Sequence, residues 1–334
     1  MVFVTGGSGL VGGHLLVFLI KQNKQIRALK RKNSNFNELK LICSYYRMDV
    51  EEVISRIEWV VGDLMDELSL DRALEGVTTI YHCAAIVSFG NSSPETLKQI
   101  NIEGTRNLAR AAKKHHVSCF AFVSSIGALG QSQHGEVITE ETPWNQNNTS
   151  SVYSNSKYAA EQEVWELSAE GIPVVIVNPG IILGMGDLTK GSLQLFSQVK
   201  KGMPFYTCQK TGYVDVEDVC RALVELVERK IYNERFILVS ENLTNRELFT
   251  YIAHVMDKRA PWIPIGKYGL IIAEKIGKVL SIFTGKAPLL TPEIVASAVK
   301  QESYSSKKIR DAIDFTFLSI QDSIYEVILS SRGN

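Results

Sequence analysis

Patterned cysteine is the first thing missing. The chain of 334 residues has five cysteines, at 43, 83, 119, 208 and 220, an odd and scattered set with no CxxC or CxxxC spacing. Neither a disulfide framework nor a zinc site is indicated, no metal is expected, and a reducing cytoplasmic compartment is the simplest expectation. Charge of one sign is missing too: 36 basic and 36 acidic side chains cancel, so no basic excess points to nucleic acid. No apolar run reaches the ~18 uncharged residues of a membrane span. The nearest, Tyr268 to Ile282, is broken by Glu274, Lys275 and Lys278. It reads as an amphipathic helix packed on the protein, with a lid over an apolar pocket or a membrane-touching surface as the other readings. A secretory leader is not expected, because glycines follow Met1 too soon.

Short apolar runs alternate with helical stretches over the first two thirds. Val2–Thr5, Ile26–Lys30, Ile57–Gly62, Thr78–Cys83, Val117–Ser124 and Val174–Val177 read as strands. Helices are expected over Leu10–Lys21, Glu95–His115 and Val152–Ala169. Strands this apolar, separated by helices, predict a Rossmann-type α/β fold, a doubly wound parallel sheet covered on both faces. After Pro179 the pattern loosens into loops and one helix, Ser192–Lys201. Tyr213–Arg229 looks like a return to the sheet, with Asp218 favouring a helix N-terminus, and Phe236–Val239 reads as one more strand. Beyond it, Thr244 to Glu247, Thr291-Pro292 and Ser319 to Asp322 are helix-start signals. The expected division is a dinucleotide-binding lobe, 1–178 plus 213–240, and a smaller, mostly helical substrate lobe, 179–212 plus 241–334.

Four glycines fall within seven residues, Gly6-Gly7-Ser8-Gly9-Leu10-Val11-Gly12, between a strand and an apolar helix. Glycine is costly to order, so something must approach this backbone too closely for a Cβ. Unpaired N–H groups at a helix start favour an anion. In the Gly6-x-x-Gly9-x-x-Gly12 spacing, Gly6 would make the sharp exit from the strand. Gly9 would let a pyrophosphate reach the backbone, and Gly12 would let helix and strand pack closely. A flexible loop is the bland alternative; the strand-to-helix context favours dinucleotide binding. An acidic residue about 20 positions on would grip the ribose of NAD, but none occurs from Gly13 to Asn37. Arg31 and Lys32 stand there instead, and Arg31 offers a fork suited to a phosphate. NADP is therefore favoured, with NAD the alternative, unless those cations form only a solvated turn.

Tyr153 and Lys157 are four residues apart and would share one helix face. A phenol is a poor base at neutral pH, and a nearby cation would favour its phenolate and ease proton exchange with an alcohol or carbonyl. Tyr206/Lys210 and Tyr304/Lys308 have the same spacing. Only Tyr153 opens the helix after the fifth strand, with Ser124-Ser125 at that strand's C-terminal end, where ligands of open α/β sheets bind.

Taken together, Thr5-Gly-x-x-Gly-x-x-Gly12, Gly62-Asp63-Leu64, His82-Cys83-Ala84-Ala85, Asn101-Ile-Glu-Gly-Thr105, Ser124-Ser125-x-x-x-x-Gly130, Tyr153-x-x-x-Lys157, Asn178-Pro179-Gly180 and Tyr213 to Asp218 resemble extended short-chain dehydrogenases/reductases over roughly the first 240 residues. The resemblance implies that Gly6, Ser8, Gly9, Leu10, Val11 and Gly12 hold the cofactor and that Asp63 and Leu64 sit at the adenine. Cys83, Ala84, Ala85 and Asn101 would line the cofactor, Lys157 would also bind the nicotinamide ribose next to Tyr153, and Asn178, Pro179, Gly180 and Ile181 would border the nicotinamide. Ser125, five residues before Gly130, aligns with the family's catalytic serine. Ile126 and Gly127 stand where sugar-nucleotide dehydratases carry Asp-Glu, which disfavours dehydration. The stretch around 290–303 lacks the arginines with which sugar-nucleotide epimerases hold diphosphate, unless Arg221, Arg235 or Arg246 substitutes.

Two stretches, 122–130 (FVSSIGALG) and 177–187 (VNPGIILGMGD), are similar to the dihydroflavonol reductase, cinnamoyl-CoA reductase and 3β-hydroxysteroid dehydrogenase branch. The implied activity is an NADP(H)-dependent oxidoreductase interconverting a carbonyl and a secondary alcohol on a largely apolar small molecule. Ser125, Tyr153 and Lys157 would be catalytic, and Ile86, Phe89, Leu183, Met185, Phe205 and Tyr206 are pocket candidates, each equally suited to a core. A sugar-nucleotide 4-epimerase with bound NAD and a dinucleotide-binding sensor without turnover are the alternatives. Relatives imply a homodimer through the helices near 95–115 and 152–169.

Overall fold

The apolar runs pair in parallel, as strands buried on both faces must. In the computed structural model, which describes residues 1–87, 93–132, 135–145, 151–284 and 292–332, the strands in chain order are β1 Val2–Thr5, β2 Ile26–Lys30, β3 Ile57–Val61, β4 Thr79–His82, β5 Cys119–Val123, β6 Val174–Pro179, β7 Ile181–Leu183, β8 Phe205–Thr207, β9 Lys210–Asp215, β10 Glu234–Leu238, β11 Glu241–Thr244 and β12 Ile263–Ile265. Seven form the central sheet in the order β10-β6-β5-β4-β1-β2-β3, every pair parallel. One face is covered by helices Leu10–Lys21 and Val216–Glu228 through Leu15, Leu16, Val219 and Leu223, the other by Gly104–Lys114 and Val152–Ala169 through Leu108, Val164 and Leu167. The chain winds outward in opposite directions from β1 and β4, which places a crevice at their C-terminal ends.

A smaller assembly sits beside this sheet. β9 lies between β7, parallel, and β11, antiparallel, and β8 pairs with β12. Its core joins Leu183, Phe196, Tyr213, Leu248, Ile252 and Ile324.

Several expectations change. The region 213–229 does not enter the central sheet: β9 ends at Asp215, which caps the next helix by accepting the Glu217 N–H at 2.7 Å, and the chain returns only as β10. Asp218 stands in the first turn of that helix, as expected, and also accepts the Leu318 N–H at 2.7 Å. The expected helix Glu95–His115 is interrupted by a π-turn at Lys98–Glu103. The capping box of Thr244 and Glu247 is present, and Ser319 receives the Asp322 N–H at 3.1 Å. Thr291 lies outside the described residues, while Pro292 opens the helix Pro292–Ser297.

Candidate active site

The opening loop is shaped by two tight approaches and one open position. Gly6 has φ +74°, and a Cβ on it would lie 2.7 Å from the Ala84 nitrogen. A Cβ on Gly12 would lie 2.2 Å from the Gly6 carbonyl oxygen. That close packing is therefore against the loop, not against the strand as expected. Gly9 differs: it is exposed, and its Cβ would come no nearer than 3.4 Å to protein. Protein packing does not demand a glycine at that position, so the open space there suits a ligand. The helix Leu10–Lys21 starts with no side-chain cap and no acid in its first turn, which suits an anion at its first N–H groups. Beside it, Arg31 and Lys32 are exposed just past β2. Asp63 is exposed past β3 and accepts the Met65 N–H at 2.9 Å, whereas the Leu64 side chain is buried in the core.

Past β4 an ordered hydrogen-bond chain anchors the loop. The Ala84 N–H meets Thr5 Oγ1 at 3.2 Å, Thr5 Oγ1 meets His82 Nδ1 at 2.6 Å, His82 Nε2 meets Thr105 Oγ1 at 2.9 Å, and Thr105 donates to the Asn101 carbonyl at 2.6 Å. Because Thr105 donates onward, its lone pair receives an Nε2–H, which assigns the His82 tautomer. Burial, with Lys157 nearby, pushes the His82 pKa down to about 3, so the ring is neutral. Asn101 sits in the π-turn and clamps the main chain of Ile86 from both sides, accepting its N–H at 2.8 Å and donating to its carbonyl at 3.0 Å. Its amide also donates to Ser156 at 3.0 Å. Burial pushes the Cys83 thiol up to about 12, leaving it unreactive near neutral pH.

Ser125, Tyr153 and Lys157 converge at the C-terminal end of β5. Ser125 accepts the Gly127 N–H at 3.0 Å, and its hydroxyl contacts the Tyr153 phenol in a hydrogen bond that favours the phenolate. Burial outweighs that contact and holds the Tyr153 pKa above its ordinary value. The expected acidification by Lys157 is not what the geometry shows. Lys157 Nζ donates to the Val123 carbonyl at 2.8 Å and lies 4.5 Å from the Phe122 ring centre. Desolvation lowers the Lys157 pKa to about 8, opposed by Glu161.

Glu161 is the residue that sequence reasoning missed. It is fully buried one turn beyond Lys157, accepting from Ser124 at 2.7 Å, Asn178 at 2.9 Å and Arg235 at 3.0 Å. Its signal was a carboxylate repeating the four-residue spacing of Tyr153 and Lys157. Ser124 is thereby committed to structure, leaving Ser125 to face Tyr153. Asn178 also donates to the Ser125 carbonyl at 3.0 Å, while its buried Oδ1 has no partner among the described residues. An acceptor stranded beside Pro179, Gly180 and Ile181 fits a bound amide donor such as a carboxamide.

The two decoy pairs separate cleanly. Tyr206 is in β8 and Lys210 in β9, and the Tyr304 hydroxyl donates to Glu302 while Lys308 pairs with Glu234. Of the pocket candidates, Leu183 and Met185 are buried in packed protein, and the Met185 carbonyl accepts from His14 at 2.7 Å. Phe205 is 43% exposed and faces outward, Tyr206 packs with the smaller core, and Phe89 lies outside the described residues.

The family described as NAD dependent epimerase/dehydratase matches residues 2–237. A Synechocystis sp. protein carrying the name dihydroflavonol 4-reductase is 28% identical over 98% of this chain and 93% of its own. Cinnamoyl-CoA reductase 1 of Petunia hybrida is 25% identical over 99% and 91%. Among solved structures, that of gox2253 superposes with a TM-score of 0.83 at 28% identity, covering 100% of this chain and 98% of the other. UDP-glucose 4-epimerase of Thermus thermophilus in complex with NAD superposes at 0.74 and 21% identity, with 99% of each chain covered, a likeness of fold.

Proposed function

The chain belongs to the NAD dependent epimerase/dehydratase family, and from that premise we propose an NADP(H)-preferring oxidoreductase that interconverts a carbonyl and a secondary alcohol on a largely apolar small molecule. The nicotinamide dinucleotide supplies or takes up the hydride when bound. Gly9 and the uncapped helix start would receive its pyrophosphate, Arg31 and Lys32 would hold its 2′-phosphate, and Asn178 Oδ1 would accept from its carboxamide.

The observation that carries this reading is the meeting of the Tyr153 and Ser125 hydroxyls at the mouth of the sheet. With its pKa raised, Tyr153 keeps its proton near neutral pH and can donate it to a carbonyl oxygen. Ser125 orients that oxygen, and Lys157, one helical turn on and held by the Val123 carbonyl, adds a positive charge to the site near neutral pH. In the reverse direction the same pair receives the alcohol proton. An epimerase reading is less well supported, because two of the three arginines able to grip a diphosphate are committed elsewhere. Arg235 is paired with buried Glu161, and Arg221 with Asp218 at 2.5 Å.

One experiment tests both halves. Tyr153→Phe should lower ketone or CoA-thioester reduction at least about 100-fold, the low end for loss of a general acid, while NADPH fluorescence titration stays unchanged. Arg31→Ala should weaken NADPH binding and leave NADH binding alone. Equal affinity of the parent protein for both dinucleotides would remove the NADP preference.

A further inference from the structure

The helix Lys267–Thr284 carries apolar residues on two sides of its described first half, and among the described residues only one of those sides is buried against a partner. Leu270, buried with Val295 and Ala298, marks the inner side, and Glu274 is turned inward with it. On the opposite side Tyr268, Ile272 and Ile276, spaced by four, are 81%, 60% and 55% exposed. A packed amphipathic helix would show charge there.

The surface continues past the helix. β8 and β12 pair with Phe205 opposite Ile263, and both are exposed, so the two side chains share one outward face. Trp262 is exposed beside them, with the Arg259 guanidinium 3.9 Å from its ring centre. Cations frame the patch: Lys258, Arg259, Lys267 and Lys275 are all exposed. Residues 257–284 carry five basic and two acidic side chains in a chain whose net charge is zero.

We infer that this face docks on an anionic lipid surface, with Trp262, Ile263, Tyr268, Ile272 and Ile276 entering the headgroup boundary. Aromatic residues beside an aliphatic stripe, framed by lysine and arginine, suit the interface of a negatively charged bilayer. Charge complementarity selects this occupant. Two copies meeting through the patch would press Arg259, Lys267 and Lys275 against their own likenesses, which is repulsive. An anionic surface attracts the same cations. The inference does not depend on which reaction the Tyr153 site performs.

Cosedimentation of the full chain with vesicles of phosphatidylcholine, and of phosphatidylcholine with about a third phosphatidylserine, decides it. The expected result is binding to the serine-containing vesicles alone. Ile272→Asp combined with Ile276→Asp should abolish it without moving the melting temperature, since both side chains are exposed. Each cation removed, as in Lys267→Glu, should weaken partitioning about fivefold or more. No binding to anionic vesicles overturns the inference, and so does binding that survives the double aspartate variant. Sedimentation velocity showing self-association lost in that variant also overturns it, because the face would then lie between copies.

Discussion

At the scale of single residues, the proposed proton transfer depends on how charge is held in a dry place. Lys157 is 2% exposed, and its pKa near 8 places its titration within reach of ordinary assays. Tyr153 is shifted the other way, so of the two it is Lys157 that loses its proton first as pH rises. Carbonyl reduction should accordingly decline above about pH 8, and the declining limb reports Lys157. Glu161 raises the Lys157 pKa. Replacing it by Gln keeps an acceptor for Ser124 and removes the negative charge, so the limb should move to lower pH. A pH profile of kcat/KM for the two proteins checks this, and an unmoved limb would separate Glu161 from Lys157. The pair Tyr153 and Lys157 was legible from spacing and position after β5. Glu161 was not, since its meaning comes from Ser124, Asn178 and Arg235, which only the folded sheet brings to it.

Among elements, the loop between β1 and the helix Leu10–Lys21 would, on the proposed function, divide its glycines between folding and binding. Gly12→Ala would force a Cβ to 2.2 Å from the Gly6 carbonyl, so it should lower stability and binding together. Gly9→Ala meets protein only at 3.4 Å. It should leave the melting temperature nearly unchanged while weakening dinucleotide binding, because the new methyl would occupy the proposed phosphate approach. Thermal melts paired with fluorescence titration distinguish the two, and equal loss of stability would contradict the division. The motif was plain in the sequence, but the distinction within it was not: spacing alone cannot say whether ligand or backbone excludes the side chain. The π-turn was likewise hidden, as Lys98 to Glu103 has no residue that breaks a helical pattern.

For the molecule as a whole, the alternating apolar runs were enough to anticipate the parallel sheet, whereas β7, β8 and β12, three residues each, were too short to show a period, and β9 and β11 contain no apolar run. Their placement rests on long-range contacts, and Asp215 is one of the joints. Buried at the end of β9, it caps the following helix and accepts from Ser323 of the C-terminal helix, and desolvation raises its pKa to about 7. A carboxyl whose folded pKa lies above its unfolded one holds a proton in the folded state that the unfolded state has released. Stability from this group is therefore full below about pH 4 and falls by roughly 1.4 kcal/mol per pH unit until about pH 7. Asp215→Asn keeps a good cap and cannot titrate. Urea melts between about pH 5 and 7 should show a shallower pH dependence in that variant, and an unchanged slope would mean that Asp215 is ionised in the fold.

The wide turn at Lys98–Glu103 also makes this stretch intolerant of shortening. Each residue advances an α-helix by about 100°. Deleting one amino acid from the turn would restore regular winding at the expense of azimuth: either Asn101 swings off the Ile86 main chain, or Leu108 and Ala112 rotate out of the interior. Insertions and deletions in descendants of this chain should therefore spare this hexapeptide, even where neighbouring segments vary in length.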